Sequence, residues 1–180
     1  MSESLAEPIA QLVTDAPATE SFEALYRRTF PRVYAYVAGL LRDRAAAEDV
    51  TALAFERAYR KRRGFRPARG SAEAWLFGIA RNAALDELRR QRRRATLEAE
   101  PDDIAGRAVH EQVELGLRRE VVRSALASLE PRERDLVVLK FFGGLSNSEL
   151  ARVLGISETS AGSRLHRTIE KLRKACHDDS

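Results

Sequence analysis

Residues 1–19 mix Ser, Glu, Pro, Ala and Thr without a sustained apolar stripe, which reads as a loose tail. From Phe22 the pattern changes. Phe22, Leu25, Tyr26, Val33, Val37, Leu40 and Leu41 return at three- and four-residue steps and predict an amphipathic helix, with Pro31 expected to kink or divide it. A second helix starts after Asp43, runs through Val50, Leu53, Ala54 and Ala58, and is ended by Gly64 and Pro67. Ser71 suits the N-cap of a third, which turns Trp75, Leu76, Ile79, Ala80 and Ala83 inward and continues into an arginine run.

The stretch from Ala95 to about Leu117 contains Pro101 and Gly106, lacks a strong stripe, and reads as a linker with some transient helix. Beyond it Val121, Val122, Ala125 and Leu129 form one helix. Pro131 opens the next, through Leu136, Val137, Leu139 and Phe141 to Gly143 and Gly144. Ser146-Asn147-Ser148-Glu149 is a capping box before Leu150, Val153 and Leu154, and Gly155 is a left-handed stop. Ser157 opens a last helix with Ala161, Leu165, Ile169 and Leu172 inward. No alternating β-branched run suits a sheet, so the fold class is all-α. The organisation expected is a tail over 1–19, a helical domain over 20–94, an acidic linker over 95–117, a second helical domain over 118–176 and a tail over 177–180.

Composition adds little until its distribution is considered. The 180 residues carry 31 Lys plus Arg against 27 Asp plus Glu, and the net +4 argues only weakly for a polyanionic partner. The basic residues are clustered, however. Arg57 to Arg69 holds seven of them, Arg89 to Arg94 five, while Glu98 to Glu114 is acidic. Five arginines within six positions repel one another enough to call for a polyanion. The single Cys176 has no internal disulfide partner, no apolar run spans a bilayer, and nothing at the N-terminus looks like a signal peptide, so a reducing cytoplasm without membrane insertion is expected. His110, His166, His177 and Cys176 form no recognisable catalytic or metal set, and HExxH, paired CxxC, phosphate-binding glycine loop and nucleophile elbow are all missing from the sequence. Neither catalysis nor a cofactor is expected.

The last two helices have the helix-turn-helix plan, in which the second enters the major groove. Ser157, Thr159, Ser160, Ser163, Arg164, His166 and Arg167 then lie at or near its outer surface. Arginine can pair with guanine edges or phosphate, and hydroxyls and helix N-terminal amides take phosphate. An ordinary helical hairpin with a solvated face has the same spacing. In the first half, Arg62, Arg63 and Arg66 surround Phe65, and Arg81, Asn82 and Asp86 fall at steps near one helix face. A basic groove with flat and polar groups suits single-stranded nucleic acid. Trp75 reads as core. Asp86 can accept from a base amino group or orient a neighbouring arginine.

Leu-Gly-Ile-Ser before the last helix, then Ser163-Arg164-Leu165-His166-Arg167, resembles the second domain of sigma factors of the extracytoplasmic-function group. Leu129-Glu130-Pro131-Arg132-Glu133-Arg134 through Ile156 is also similar to response-regulator output domains, which leaves a transcriptional regulator of that type as the alternative. Ala47-Glu48-Asp49-Val50 and Phe55-Glu56-Arg57-Ala58-Tyr59 resemble the sigma helix that grips the polymerase clamp helices. Trp75 to Asn82, with Asp86 and the arginine run, resembles the helix that engages the minus-10 element. A receiver domain's alternating strands and helices are not visible.

The sigma resemblance implies a factor that gives core RNA polymerase its promoter specificity. By that resemblance Asp49, Leu53 and Glu56 contact the clamp helices of the largest subunit, and the second domain meets the flap of the second largest. Arg62, Arg63, Phe65, Arg66, Arg81, Asn82, Asp86, Arg89 and Arg90 serve single-stranded minus-10 DNA, and the seven helix-turn-helix residues named above serve the duplex minus-35 element. An anti-sigma factor is the further partner implied. The chain departs from the family pattern at Ala52-Leu53 and at Ala161-Gly162, and the second change removes a common cationic contact and weakens the helix. The promoter sequence cannot therefore be copied from relatives.

Overall fold

Helices in this protein begin where a short polar side chain can accept from an otherwise unpaired first-turn amide. In the computed structural model, which describes residues 21–97 and 122–178, Ser21 accepts from Ala24, Asp43 from Ala46 and Ser71 from Ala74, at 3.1–3.2 Å. Ser146 accepts from Glu149 and Ser157 from Ser160 at similar distances. The helices so started are α1 (Phe22–Leu41), α2 (Arg44–Lys61), α3 (Ala72–Leu97), α6 (Asn147–Leu154) and α7 (Glu158–Asp178); between α3 and α6 lie α4 (122–128) and α5 (Pro131–Phe141). Two single 3-10 turns, Arg62–Gly64 and Pro67–Arg69, join α2 to α3. There is no strand among the described residues, in keeping with the all-α class.

The expected tail over 1–19, residues 98–117 of the expected linker, and Val121 lie outside the described residues. Two expectations change. Pro31 neither divides α1 nor ends it, since α1 is a single helix on whose solvent-exposed side Pro31 lies, leaving the unbonded carbonyl a turn earlier open to water. The third helix continues past the arginine run to Leu97, because Ala95, Thr96 and Leu97 include no breaker and the Thr96 hydroxyl bonds back to the Arg92 carbonyl at 2.9 Å.

In the N-terminal unit α1, α2 and α3 pack around Val33, Val37, Ala54, Phe55, Leu76 and Phe77, all buried. The C-terminal unit closes Leu139, Leu145, Leu150, Ala161 and Leu165 together. Arg134 ties its first turn down by donating to the Leu126 and Ala127 carbonyls at 2.7 and 2.8 Å, which satisfies the end of α4. Val122, in α4 as expected, is exposed, while Ala125 and Leu129 are buried.

The two units are in contact with one another. α5 lies on α1 and α6 on α3, and their apolar residues form one continuous core. At its centre Asp135, only 3% exposed, accepts from the Tyr36 hydroxyl at 2.8 Å and from Arg81 Nε at 2.7 Å. Burial, and then the Asp135 carboxylate, push the pKa of the Tyr36 hydroxyl well above its ordinary value, so the phenol stays protonated as the donor. Around this pair Arg32 donates from Nε to the Gly143 carbonyl at 2.9 Å, and the Ser71 hydroxyl donates to Glu149 at 2.6 Å.

Ser146 and Glu149 form the reciprocal capping box of α6, so Ser146→Ala is expected to lower stability by about 1 kcal/mol, read as a shift in urea midpoint. Burial opposes the charge of Glu149, but hydrogen bonds from Ser71 and Ser146 and the nearby Arg32 outweigh it and hold the carboxyl below its usual range. A carboxyl more acidic in the folded state contributes stability above the usual range and loses it as pH falls through the lowered value. Glu149→Gln is expected to flatten that acid limb in melts taken from about pH 6 down to pH 3, while Ser146→Thr leaves it in place.

Candidate nucleic-acid interface

The outer face of α7 is set by what lies beneath it. Ala161 and Leu165 are buried and Thr168 is 2% exposed, its hydroxyl donating to the Arg164 carbonyl at 2.8 Å, which fixes the rotation of the helix on α5 and α6. Thr159, Ser163, Arg164, His166 and Arg167 are thereby turned to solvent. Ser157 and Ser160 differ from that group. The Ser157 hydroxyl is occupied as the N-cap and bonds Ser160 Oγ at 2.8 Å, and Ser160 is half-buried, so both shape the helix start. Gly155, with φ 66°, makes the left-handed turn that sets the angle between α6 and α7. Lys140 spans the approach to α6, donating to the Leu145 carbonyl at 3.0 Å and to Asn147 Oδ1 at 3.2 Å. A helix presented on a capped turn, with two arginines and three hydroxyl- or imidazole-bearing side chains outward, matches the steric and chemical needs of a major groove.

In the N-terminal unit the expected nucleic-acid residues do not all share a surface. Asn82 is exposed, as are Arg63, Arg66, Arg89 and Arg90. Arg81 is turned away from Asn82 toward Asp135, as adjacent helix positions about 100° apart allow. Phe65 does not stand free among arginines: its ring lies 5.3 Å from that of half-buried Trp75. Asp86 accepts from Arg89 at 2.8 Å and lies 4.0 Å from Arg57, the orienting one of its two possible roles. Arg62 stacks 3.7 Å above the half-exposed ring of Tyr59 and donates to its carbonyl. Tyr59 was not among the expected site residues; an aromatic near the end of α2 followed by four basic residues, Arg60 to Arg63, was the available signal.

On α2, Asp49 and Glu56 are exposed, with Glu56 paired to Arg60 at 2.7 Å, and Leu53 between them is half-buried against the core. Leu53 is thus an apolar floor between two carboxylates rather than a projecting contact.

Two family models match the chain, Sigma-70 region 2 over residues 25–94 and Sigma-70 region 4 over residues 119–172. The chain is 36% identical to RNA polymerase sigma factor CarQ of Myxococcus xanthus, over 87% of this chain and 90% of that protein. The chain belongs to the extracytoplasmic-function group of sigma-70 factors. It is also 31% identical to the sigma factor SigL of Mycobacterium tuberculosis, over 89% of this chain and 93% of that one. Among solved structures it resembles CnrH, in complex with the cytosolic domain of CnrY, with TM-score 0.66 and 27% identity over 88% of this chain and 89% of that one. The fold is shared with the sigma factor RpoE of Bartonella quintana, in complex with the anti-sigma factor NepR, at TM-score 0.71 and 22% identity over 88% and 98% of the two chains.

As a sigma factor the protein directs transcription initiation. The response-regulator alternative is not favoured, because region 2 occupies the positions a receiver domain would need. No helix among the described residues is long and apolar enough to cross a membrane.

Gly162, where the chain departs from the sigma pattern, lies in α7 with ordinary helical backbone, and a Cβ there would meet nothing nearer than Asn147 Nδ2 at 3.9 Å. Gly162→Ala is therefore expected to stabilise the C-terminal unit by up to about 1 kcal/mol, measured by thermal melting, with promoter choice unchanged.

Proposed function

We propose that the two halves of this sigma factor divide promoter recognition, with residues 20–94 serving the opened minus-10 region and the clamp of core polymerase, and residues 118–176 serving the duplex minus-35 element and the polymerase flap. The observation that carries the reading is the outward face of α7, whose Thr159, Ser163, Arg164, His166 and Arg167 stand on a helix rigidly seated on α5 and α6. In the N-terminal unit, exposed Asn82 offers both a donor and an acceptor to an unpaired base, the Tyr59 ring offers a flat surface, and Arg63, Arg66, Arg89 and Arg90 supply charge for the backbone. Asp86 acts by holding Arg89. Asp49 and Glu56, flanking Leu53, meet the clamp helices as a pair of carboxylates. The acidic segment that follows α3, expected over 95–117 but occupied by the helix as far as Leu97, joins the two units. The protein works in the cytoplasm without a cofactor and catalyses no reaction of its own. Solved structures of similar sigma factors hold anti-sigma partners, and an anti-sigma factor is the corresponding partner here.

Footprinting paired with permanganate reactivity of unpaired thymines separates the two roles. Arg164→Ala is expected to lose roughly 1–3 kcal/mol of discrimination at one upstream base pair if it reads a base edge, and to weaken all sequences alike if it holds phosphate. Asn82→Ala is expected to reduce melting while upstream protection persists; lost protection with normal melting would reverse the assignment.

Holoenzyme assembly tests the clamp contact. Asp49→Lys with Glu56→Lys, both exposed, is expected to weaken binding to core polymerase with the fold intact by circular dichroism. Unchanged affinity would remove α2 from that contact.

A further inference from the structure

The outward surface of α7 has a gap at its edge. Gly162 lies three positions after Thr159 and four before His166, so it stands between two outward residues of the same face without a side chain of its own. A Cβ built there would have Asn147 Nδ2 as its nearest neighbour, at 3.9 Å. Half-buried Asn147, the first residue of α6, thus places its amide nitrogen beside the surface formed by Thr159, Ser163, Arg164, His166 and Arg167.

The direction of that amide is decided from behind. Lys140 on α5 donates from Nζ to Asn147 Oδ1 at 3.2 Å and to the Leu145 carbonyl at 3.0 Å. An ammonium group can only donate, so the amide oxygen must face Lys140 and the amide nitrogen must face away from it. Among the described residues Nδ2 donates to no acceptor. Lys140 is itself half-buried and tied by both bonds, so its charge stays behind the amide and polarises it. The outcome is a donor of fixed direction, backed by a cation, at the edge of the helix that faces DNA.

We propose that Asn147 is a DNA-positioning residue, whose Nδ2 donates through the gap at Gly162 to one backbone phosphate of the minus-35 duplex while Lys140 holds the amide in place. The proposal rests on the reading that α7 enters the major groove at that element. An asparagine that reads adenine uses both atoms of its amide edge, and here Oδ1 is turned to Lys140, so the bidentate pairing is not open to it. A single fixed donor suits a phosphate oxygen, and phosphate contacts set the register and orientation of a helix in the groove without carrying sequence information. The gap is part of the contact. A methyl at position 162 only touches the amide, whereas a longer side chain covers it.

The test uses holoenzyme made with the full chain, on a promoter that it selects from a randomised library, with the minus-35 phosphates replaced one at a time by uncharged methylphosphonate. At one position the replacement is expected to weaken binding of the wild-type holoenzyme roughly tenfold, the scale of a hydrogen bond to a charged group, and to leave Asn147→Ala unaffected. On the unmodified promoter Asn147→Ala is expected to bind roughly tenfold more weakly, by the same factor at every minus-35 sequence. Gly162→Leu keeps Asn147 and favours the helix; it is expected to lose a similar factor, and the double variant no more than the larger single loss. Wild type and Asn147→Ala responding alike to every methylphosphonate, or additive losses in the double variant, would overturn the proposal. So would a loss confined to one base pair's identity, which would make Asn147 a base reader. Arg164→Ala separates the proposal from the reading beneath it. If Arg164→Ala binds like wild type while the Asn147 results hold, the major-groove assignment of α7 fails and the phosphate contact stands; if Arg164→Ala weakens upstream binding and Asn147→Ala does not, the assignment stands and the contact falls.

Discussion

A single buried carboxylate organises this molecule. Asp135 sits among the apolar residues of α5, where an unpaired charge would cost several kcal/mol, and among the described residues the groups that satisfy it belong to the other half of the chain. α5 is thereby committed to one orientation on α1 and α3. Val138 then falls on Gly39, where it leaves no room for a side chain, and Gly143 comes against the Phe77 ring. Through α5 and α6 the same constraint fixes where α7 stands relative to the N-terminal unit.

The constraint divides residues that lie side by side in the sequence. Arg81 and Asn82 both belong to the stretch that resembles a minus-10 helix, but the turn of the helix sends one into the interface and the other to solvent. A basic residue there bridges the two units, and the polar residue beside it is the one presented outward. Phe65 and Tyr59 are exchanged in a similar way. Phe65 packs on Trp75, and Tyr59 carries Arg62 on its exposed face.

The α7 face behaves differently because it depends on local chemistry. Its start is set by the Ser157 cap, its approach by the Ser146–Glu149 box and the Gly155 turn, and its rotation by Ala161 and Leu165. Each of these acts within one or two helical turns.

That distinction separates what the sequence by itself determined from what only the tertiary structure decided. Caps, breakers and three-to-four-residue apolar steps act between neighbours, so the helices from Asp43 onward, the all-α class, the helix-turn-helix and the outward residues of α7 were legible from residue order. Pro31 was the exception: the sequence marks a missing donor but not the direction in which the orphaned carbonyl faces, and Pro31 lies here on the exposed side of α1. Tyr36 and Asp135 lie in apolar stretches on different helices, nearly a hundred residues apart, and nothing local distinguishes a polar group that finds a buried partner from one that faces solvent. Their pairing is a property of two surfaces meeting. So are the burial of Arg81, the close fit at Gly39 and the docking of one half of the chain on the other, because a long-range contact depends on the whole set of helix orientations.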